Sequence, residues 1–124
     1  MTDRELFERA KAAAEHAYAP YSNFLVGAAL LDRDGRVWEG VNVENASYSL
    51  GVCAERAAIA RAVSEAGRRP GDFEAIGITA SPCGGCRQWL WEFRLDRVTF
   101  PNRAGEIVTY APAELLPETW DLDA

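Results

Sequence analysis

Three cysteines constrain this chain more than any other feature: Cys53, standing alone, and the pair Cys83 and Cys86 inside the segment PCGGC. A Cys-x-x-Cys turn lets two sulfurs converge on one tetrahedral ion, and Gly84 and Gly85 permit the tight backbone this requires. A third sulfur reaches the same ion only if the fold brings residue 53 beside residues 83–86. Three is an odd number for a disulfide framework, and the spacing is better explained by a metal than by a bridge. Taken alone, Cys-x-x-Cys also fits a redox pair or half of a structural zinc knuckle, and Cys53 also fits a buried small hydrophobe.

The residue periodicities supply the frame. Thr2 followed by Glu5 forms a capping box, and Leu6, Phe7, Ala10, Ala13, Ala14 and Ala17 recur at helical spacing, which predicts a first helix ending before Pro20. His16, the single histidine, falls in it. An apolar run at 25–31, a turn at 32–35 and a strand at 36–43 predict a hairpin. Residues 54–66 follow a helical pattern closed by Gly67 and Pro70. A buried strand is expected at 73–80, a helix at 86–93, strands at 97–101 and 106–110, and a short last helix near Pro112. This order predicts an α/β layer architecture, a mixed sheet of about five strands covered by helices. The 124 residues fit a single domain over 1–124.

Both cysteine motifs thus start helices, where unpaired N–H groups and the positive dipole end favour thiolate over thiol. Three protein ligands leave a fourth zinc position open, the arrangement of a catalytic site. Glu55, two residues after Cys53, is placed to accept a proton from a water at that position and deliver it to a leaving group. Its bland alternative is a solvated acid in a first helical turn. Arg56 offsets the negative charge of three thiolates if it lies near them, and is otherwise an ordinary surface arginine.

Charge narrows the partners. A formal net charge of -6 and a sequence pI near 4.8 are wrong for gathering many phosphates, and Lys11 is the only lysine, so no nucleic acid polymer is expected. No stretch approaches the ~18 apolar residues of a membrane span, and MTDRELFERA is charged where a signal peptide would be apolar. A cytoplasmic protein with no membrane partner is the expectation.

The segments YAPYSNF, VGAAL, NVENASY, CAER and PCGGCRQ, in that order, resemble the small cytidine deaminases of the homotetrameric, three-cysteine zinc type. The resemblance runs from Tyr18 to Phe93 and continues weakly to ELLP. It implies a three-layer α/β/α fold, one Zn²⁺ per subunit on Cys53, Cys83 and Cys86, and Glu55 as the catalytic acid/base. It further implies that Phe24 packs against a nucleoside while Asn42 and Glu44 hydrogen-bond its ribose. The amide of Ala54 and the carbonyl of Ser81 would contact the base, and Ala46 and Tyr48 would reach a neighbouring subunit's site in a homotetramer. Arg56 would support the metal ligands.

The implied reaction is hydrolytic deamination of cytidine and 2'-deoxycytidine to uridine and 2'-deoxyuridine with release of ammonia, in pyrimidine salvage. Zinc-activated water attacks C4 while Glu55 shuttles protons. Rivals are a deaminase of a cytosine antibiotic such as blasticidin S or of a cytidine nucleotide, and a zinc-stabilised interaction domain without turnover. The last needs a fourth protein ligand, for which no cysteine remains. Leu25 stands where the family usually has proline, and Trp89 and Trp91 replace smaller residues. Trp120 falls near a carboxy-terminal aromatic of some members. Tyr21, Trp38 and Ile59 are expected in the core.

Overall fold

The computed structural model describes residues 1–122. Helix α1 (Asp3–Ala13) opens with the expected capping box: Glu5 N donates to Thr2 Oγ1 and Thr2 N to Glu5 Oε1, each at 3.1 Å. A 3-10 turn (Ala14–His16) carries His16 just past its end. Strands β1 (Gly27–Asp32) and β2 (Val37–Val41) form the hairpin, turned at Gly35 with φ +89°. Helix α2 (Ala54–Ala66) ends at Gly67, whose φ of 66° is the left-handed geometry that closes helices. Strand β3 (Phe73–Ile78), helix α3 (Gly84–Glu92), strands β4 (Arg97–Pro101) and β5 (Ile107–Tyr110) and the single turn α4 (Pro112–Leu115) complete the chain.

The sheet order is β2-β1-β3-β4-β5, antiparallel except for the β3 and β4 pair. Alternation along β1 assigns the two faces. Ala29 and Leu31 pack with Leu6, Ala10 and Ala75 beneath α1, whereas Ala28 and Leu30 pack with Ala54, Ala58, Leu90 and Val98 beneath α2 and α3. The expected three-layer α/β/α arrangement is therefore present. Trp38 and Ile59 are buried as predicted, but Tyr21 is 60% exposed in the loop before β1. Its apolar ring suggested a core place, but the loop is held by backbone bonds to a carboxylate rather than by ring packing.

Glycines let the helices lie close to the sheet. A β-carbon on Gly77 would stand 2.7 Å from Phe7 N, and one on Gly40 would strike the backbone of Ala54 and Ala58. Below α2, Asp32 is 1% exposed and organises the hairpin turn. It accepts from Trp38 Nε1 at 3.0 Å, Arg68 Nε at 3.0 Å and the amides of Asp34 and Arg36 at 2.9 Å.

The topology puts several chain segments at one edge. Strands β2 and β3 each run antiparallel to β1, so they point the same way and their carboxyl ends lie together. Helices α2 and α3 start beyond those ends, and the loop leading into β1 arrives at the same edge. Open α/β sheets bind ligands at such an edge.

Candidate metal centre and active site

Cys53 and Cys83 occupy the N-cap positions of α2 and α3, and Cys86 lies in the first turn of α3. Their three sulfur atoms all lie within 4.8 Å of one another. Zn–S bonds of about 2.3 Å at tetrahedral angles would set sulfurs about 3.8 Å apart, so the group is the right size for zinc with small adjustment. The electrostatics point the same way. Burial pushes the Cys86 thiol far up, with Glu55 and the other two sulfurs adding to it, and burial pushes Cys53 up as well. Burial also opposes ionisation of Cys83, but amides of Cys86 and Gly85 aimed at its sulfur outweigh it and lower that thiol. The helix starts therefore favour the thiolate at Cys83 alone, and ionising all three sulfurs requires a cation between them.

Arg56 lies against the cluster from α2. Burial disfavours its charge, but the negative sulfurs, Cys86 first, outweigh that and hold it firmly protonated. Its guanidinium carbon is 6.0 Å from the Trp89 ring centroid, and its Nε is buried with no hydrogen-bond partner among the described residues. A buried donor left without a partner beside the cluster is a group that a further occupant of the site would satisfy.

Glu55 is only 4% exposed, so the solvated alternative does not hold. Burial raises its pKa, opposed by its own amide, Cys86 and Arg56. A carboxyl group raised in this way holds its proton to higher pH than an exposed one, which suits it to give a proton as well as take one. It opens on a hollow of about 170 Å³ lined by Phe24, Val26, Asn42, Cys53, Ala54, Glu55, Ala80, Ser81 and Cys83. Larger hollows of about 360 and 310 Å³, beside Arg94 and His16, contain none of these groups.

Phe24 stands at the mouth, 60% exposed, and is no core residue. Asn42 and Glu44 have a task that their sequence motif did not reveal: they hold the loop that carries Phe24. Asn42 Oδ1 accepts from Val26 N and its Nδ2 donates to Phe24 O, both at 2.9 Å. Glu44 Oε1 accepts from the amides of Tyr21 at 3.0 Å and Ser22 at 3.1 Å, while Oε2 accepts from Ser22 Oγ. These bonds, the Ser22 side chain first, hold the Glu44 carboxyl below the usual carboxylate range. The amide of Asn42 keeps a second hydrogen and a second lone pair for another partner. Ala46 and Tyr48 lie away from the hollow, and Tyr48, 97% exposed in a 3-10 turn (Tyr48–Leu50), projects from the surface. Ser22 and Arg87 were not anticipated as site residues. The bonds from Ser22 to Glu44 and from Arg87 to Leu115 join residues 22 and 28 positions apart, so no local spacing signals them.

The family profile described as the cytidine and deoxycytidylate deaminase zinc-binding region matches residues 1–101. The chain belongs to this deaminase family. A cytidine deaminase of Halalkalibacterium halodurans is 48% identical, across 94% of this chain and 92% of the relative. One from Sporosarcina psychrophila is 43% identical, across 94% and 90%. Among solved structures, the cytidine deaminase of Burkholderia pseudomallei superposes with a TM-score of 0.89 at 48% identity, covering 97% of this chain and 100% of that one. The deaminase-family fold is thus shared over nearly the whole chain, including the two helix starts that carry the cysteines.

Proposed function

We propose that this chain, as one domain, deaminates cytidine and 2'-deoxycytidine to uridine and 2'-deoxyuridine, consuming water and releasing ammonia. The observation that carries this reading is Glu55, a buried carboxyl group beside a three-sulfur cluster inside a hollow lined by Phe24 and Asn42. Cys53, Cys83 and Cys86 would hold one Zn²⁺ per subunit, which when bound supplies the Lewis acidity that makes a water nucleophilic near neutral pH.

Glu55 takes a proton from the attacking water and returns it to N3 of the pyrimidine as the new C–O bond forms at C4. It then carries the second proton to the exocyclic nitrogen, and the C–N bond breaks to release ammonia. Arg56 offsets thiolate charge so that the cluster does not cancel the metal's pull on water. The amide of Ala54 and the carbonyl of Ser81 read the base edge, and Phe24 covers the ring face.

Asn42 and Glu44 receive the ribose hydroxyls with the capacity left over from bracing the loop. The Glu44 carboxylate disfavours a 5'-phosphate nearby, which argues for nucleoside over nucleotide. With Tyr48 fully exposed, a homotetramer in which Ala46 and Tyr48 complete a neighbour's site is the assembly we infer. The net charge of -6 supports a small substrate rather than a polymer. No helix among the described residues is long and apolar enough to cross a membrane, which accords with action in the cytoplasm.

The test follows loss of cytidine absorbance and release of ammonia by zinc-loaded protein and its Glu55→Gln variant, with deoxycytidine, CMP and blasticidin S in parallel. Turnover of both nucleosides that vanishes in the variant supports the reading. No turnover of either by folded, zinc-loaded protein refutes it, and activity confined to CMP or the antibiotic refutes the substrate assignment.

A further inference from the structure

We infer that Arg87 is a positioning residue that ties residues 81–83, the base-facing edge of the site, to the carboxy-terminal segment that begins with α4. The inference rests on the proposed function for its kinetic consequence but not for the tie itself.

One guanidinium spans two segments far apart in sequence. Arg87 Nε donates to Pro82 O at 2.9 Å, Nη2 to Ser81 Oγ at 3.3 Å, and Nη1 to Leu115 O at 3.0 Å. A planar fork with five fixed donors suits this bridging, which an ammonium cannot reproduce. Both partners are groups that need an outside donor. Residues 79–83 lie between the end of β3 and the start of α3, and the Pro82 carbonyl has neither a ladder nor a helix to join. Leu115 closes a one-turn helix, where carbonyls lack intrahelical partners. The next residue repeats the connection, with Gln88 Nε2 donating to Trp120 O at 3.0 Å.

The chemical consequence follows from the neighbours. Arg87 follows Cys86 directly, and the segment it holds contains Cys83 and the Ser81 carbonyl. Displacing the tail therefore moves the edge against which the base is read, although Leu115 and Trp120 lie outside the hollow lining.

The test compares full-length Arg87→Met and Arg87→Lys with the parent and with Arg97→Met, which breaks an ion pair to Asp3 elsewhere. Hydrogen exchange is followed at residues 79–85 and 112–120, with KM and kcat for cytidine on zinc-loaded protein. We expect Arg87→Met to speed exchange in both segments together and to raise KM by about tenfold, with a smaller fall in kcat, as for loss of charge-assisted hydrogen bonds. Arg87→Lys should recover part of both effects, and Arg97→Met should move neither segment. Unchanged exchange at 79–85, or loosening of the tail alone with unchanged KM, overturns the inference. If Arg87→Met does not fold, Arg87→Lys decides by the same two readouts. If the parent does not turn over cytidine, the functional proposal fails while exchange at the two segments still judges the tie.

Discussion

The guanidinium of Arg56 occupies the space in which a β-carbon on Gly85 would stand, so the glycine is part of the arginine's seat. The obstructing atom is the end of a flexible side chain rather than backbone. Gly85→Ala should therefore fold with stability within about 1 kcal/mol of the parent, while Arg56 is pushed from the sulfurs. Groups that support metal ligands are typically worth 10–100-fold in affinity, so zinc transfer to a competing chelator should quicken by about tenfold. Transfer at the parent's rate would show that the guanidinium does not help retain the ion.

Glu55→Gln should lower kcat by 10²–10⁴-fold or more, measured by ammonia release, because a positioned proton carrier is lost. Its stability should move the other way. Burial raises the Glu55 pKa, so the ionised form opposes folding above that value and the penalty fades as pH falls toward 4.5. Metal-free Glu55→Gln should accordingly melt no lower than the metal-free parent at pH 7, with the difference closing in acid. A clearly lower melting temperature at pH 7 would contradict the burial argument.

Acid sensitivity should trace to Asp32. Burial alone would raise its pKa, but hydrogen bonds from Trp38, the Arg36 amide and Arg68 outweigh it and hold the carboxyl below 3.8. The stabilisation is fully present above pH 3.8 and is lost as pH falls through the depressed folded-state value. Asp32→Asn should cost at least about 2 kcal/mol in urea unfolding at pH 7, since Arg68 and the indole lose a charged acceptor. The same variant should show a flatter loss of stability below pH 4, and an equally steep loss would point to other carboxylates.

Glu44→Gln should loosen residues 21–26 and raise KM for cytidine by about tenfold or more, because one amide oxygen cannot serve three donors. Limited proteolysis or hydrogen exchange in that loop checks the first effect and steady-state kinetics the second. Since the Glu44 pKa is held down by Ser22, its contribution to KM should stay constant on acidification to about pH 5. A KM that rises sharply between pH 7 and 5 in the parent but not in the variant would contradict this.

Much of this was legible in the sequence wherever the cause is local. The bounds of α2 follow from its alanine-rich period and Gly67, and β4 occupies the 97–101 span expected of it. The cysteine positions and Glu55 could be read as chemistry because two motifs both fell at helix starts. Contacts closed by tertiary structure were not legible. Tyr21 was expected inside and is outside, since what fixes its loop is Glu44, 23 positions away. The bracing by Asn42 of residues 24 and 26 and the bridge from Arg87 to Leu115 depend on which loops meet at one sheet edge. The extra burden on Asp32 depends on Arg68, 36 positions on, which no pattern within the hairpin discloses.

Gly40 gives the site a property that belongs to the scaffold rather than to any reacting group. With no side chain there, the first turn of α2 rests directly on β2, its Ala54 carbonyl against the strand. The height of Cys53 and Glu55 above the sheet is thus gauged by backbone touching backbone, from the side of the helix facing away from solvent. A methyl group inserted at that point would act as a shim. It would lift one wall of the site relative to Cys83 and Cys86, which hang from a different strand, and so detune the chemistry without altering any residue that performs it.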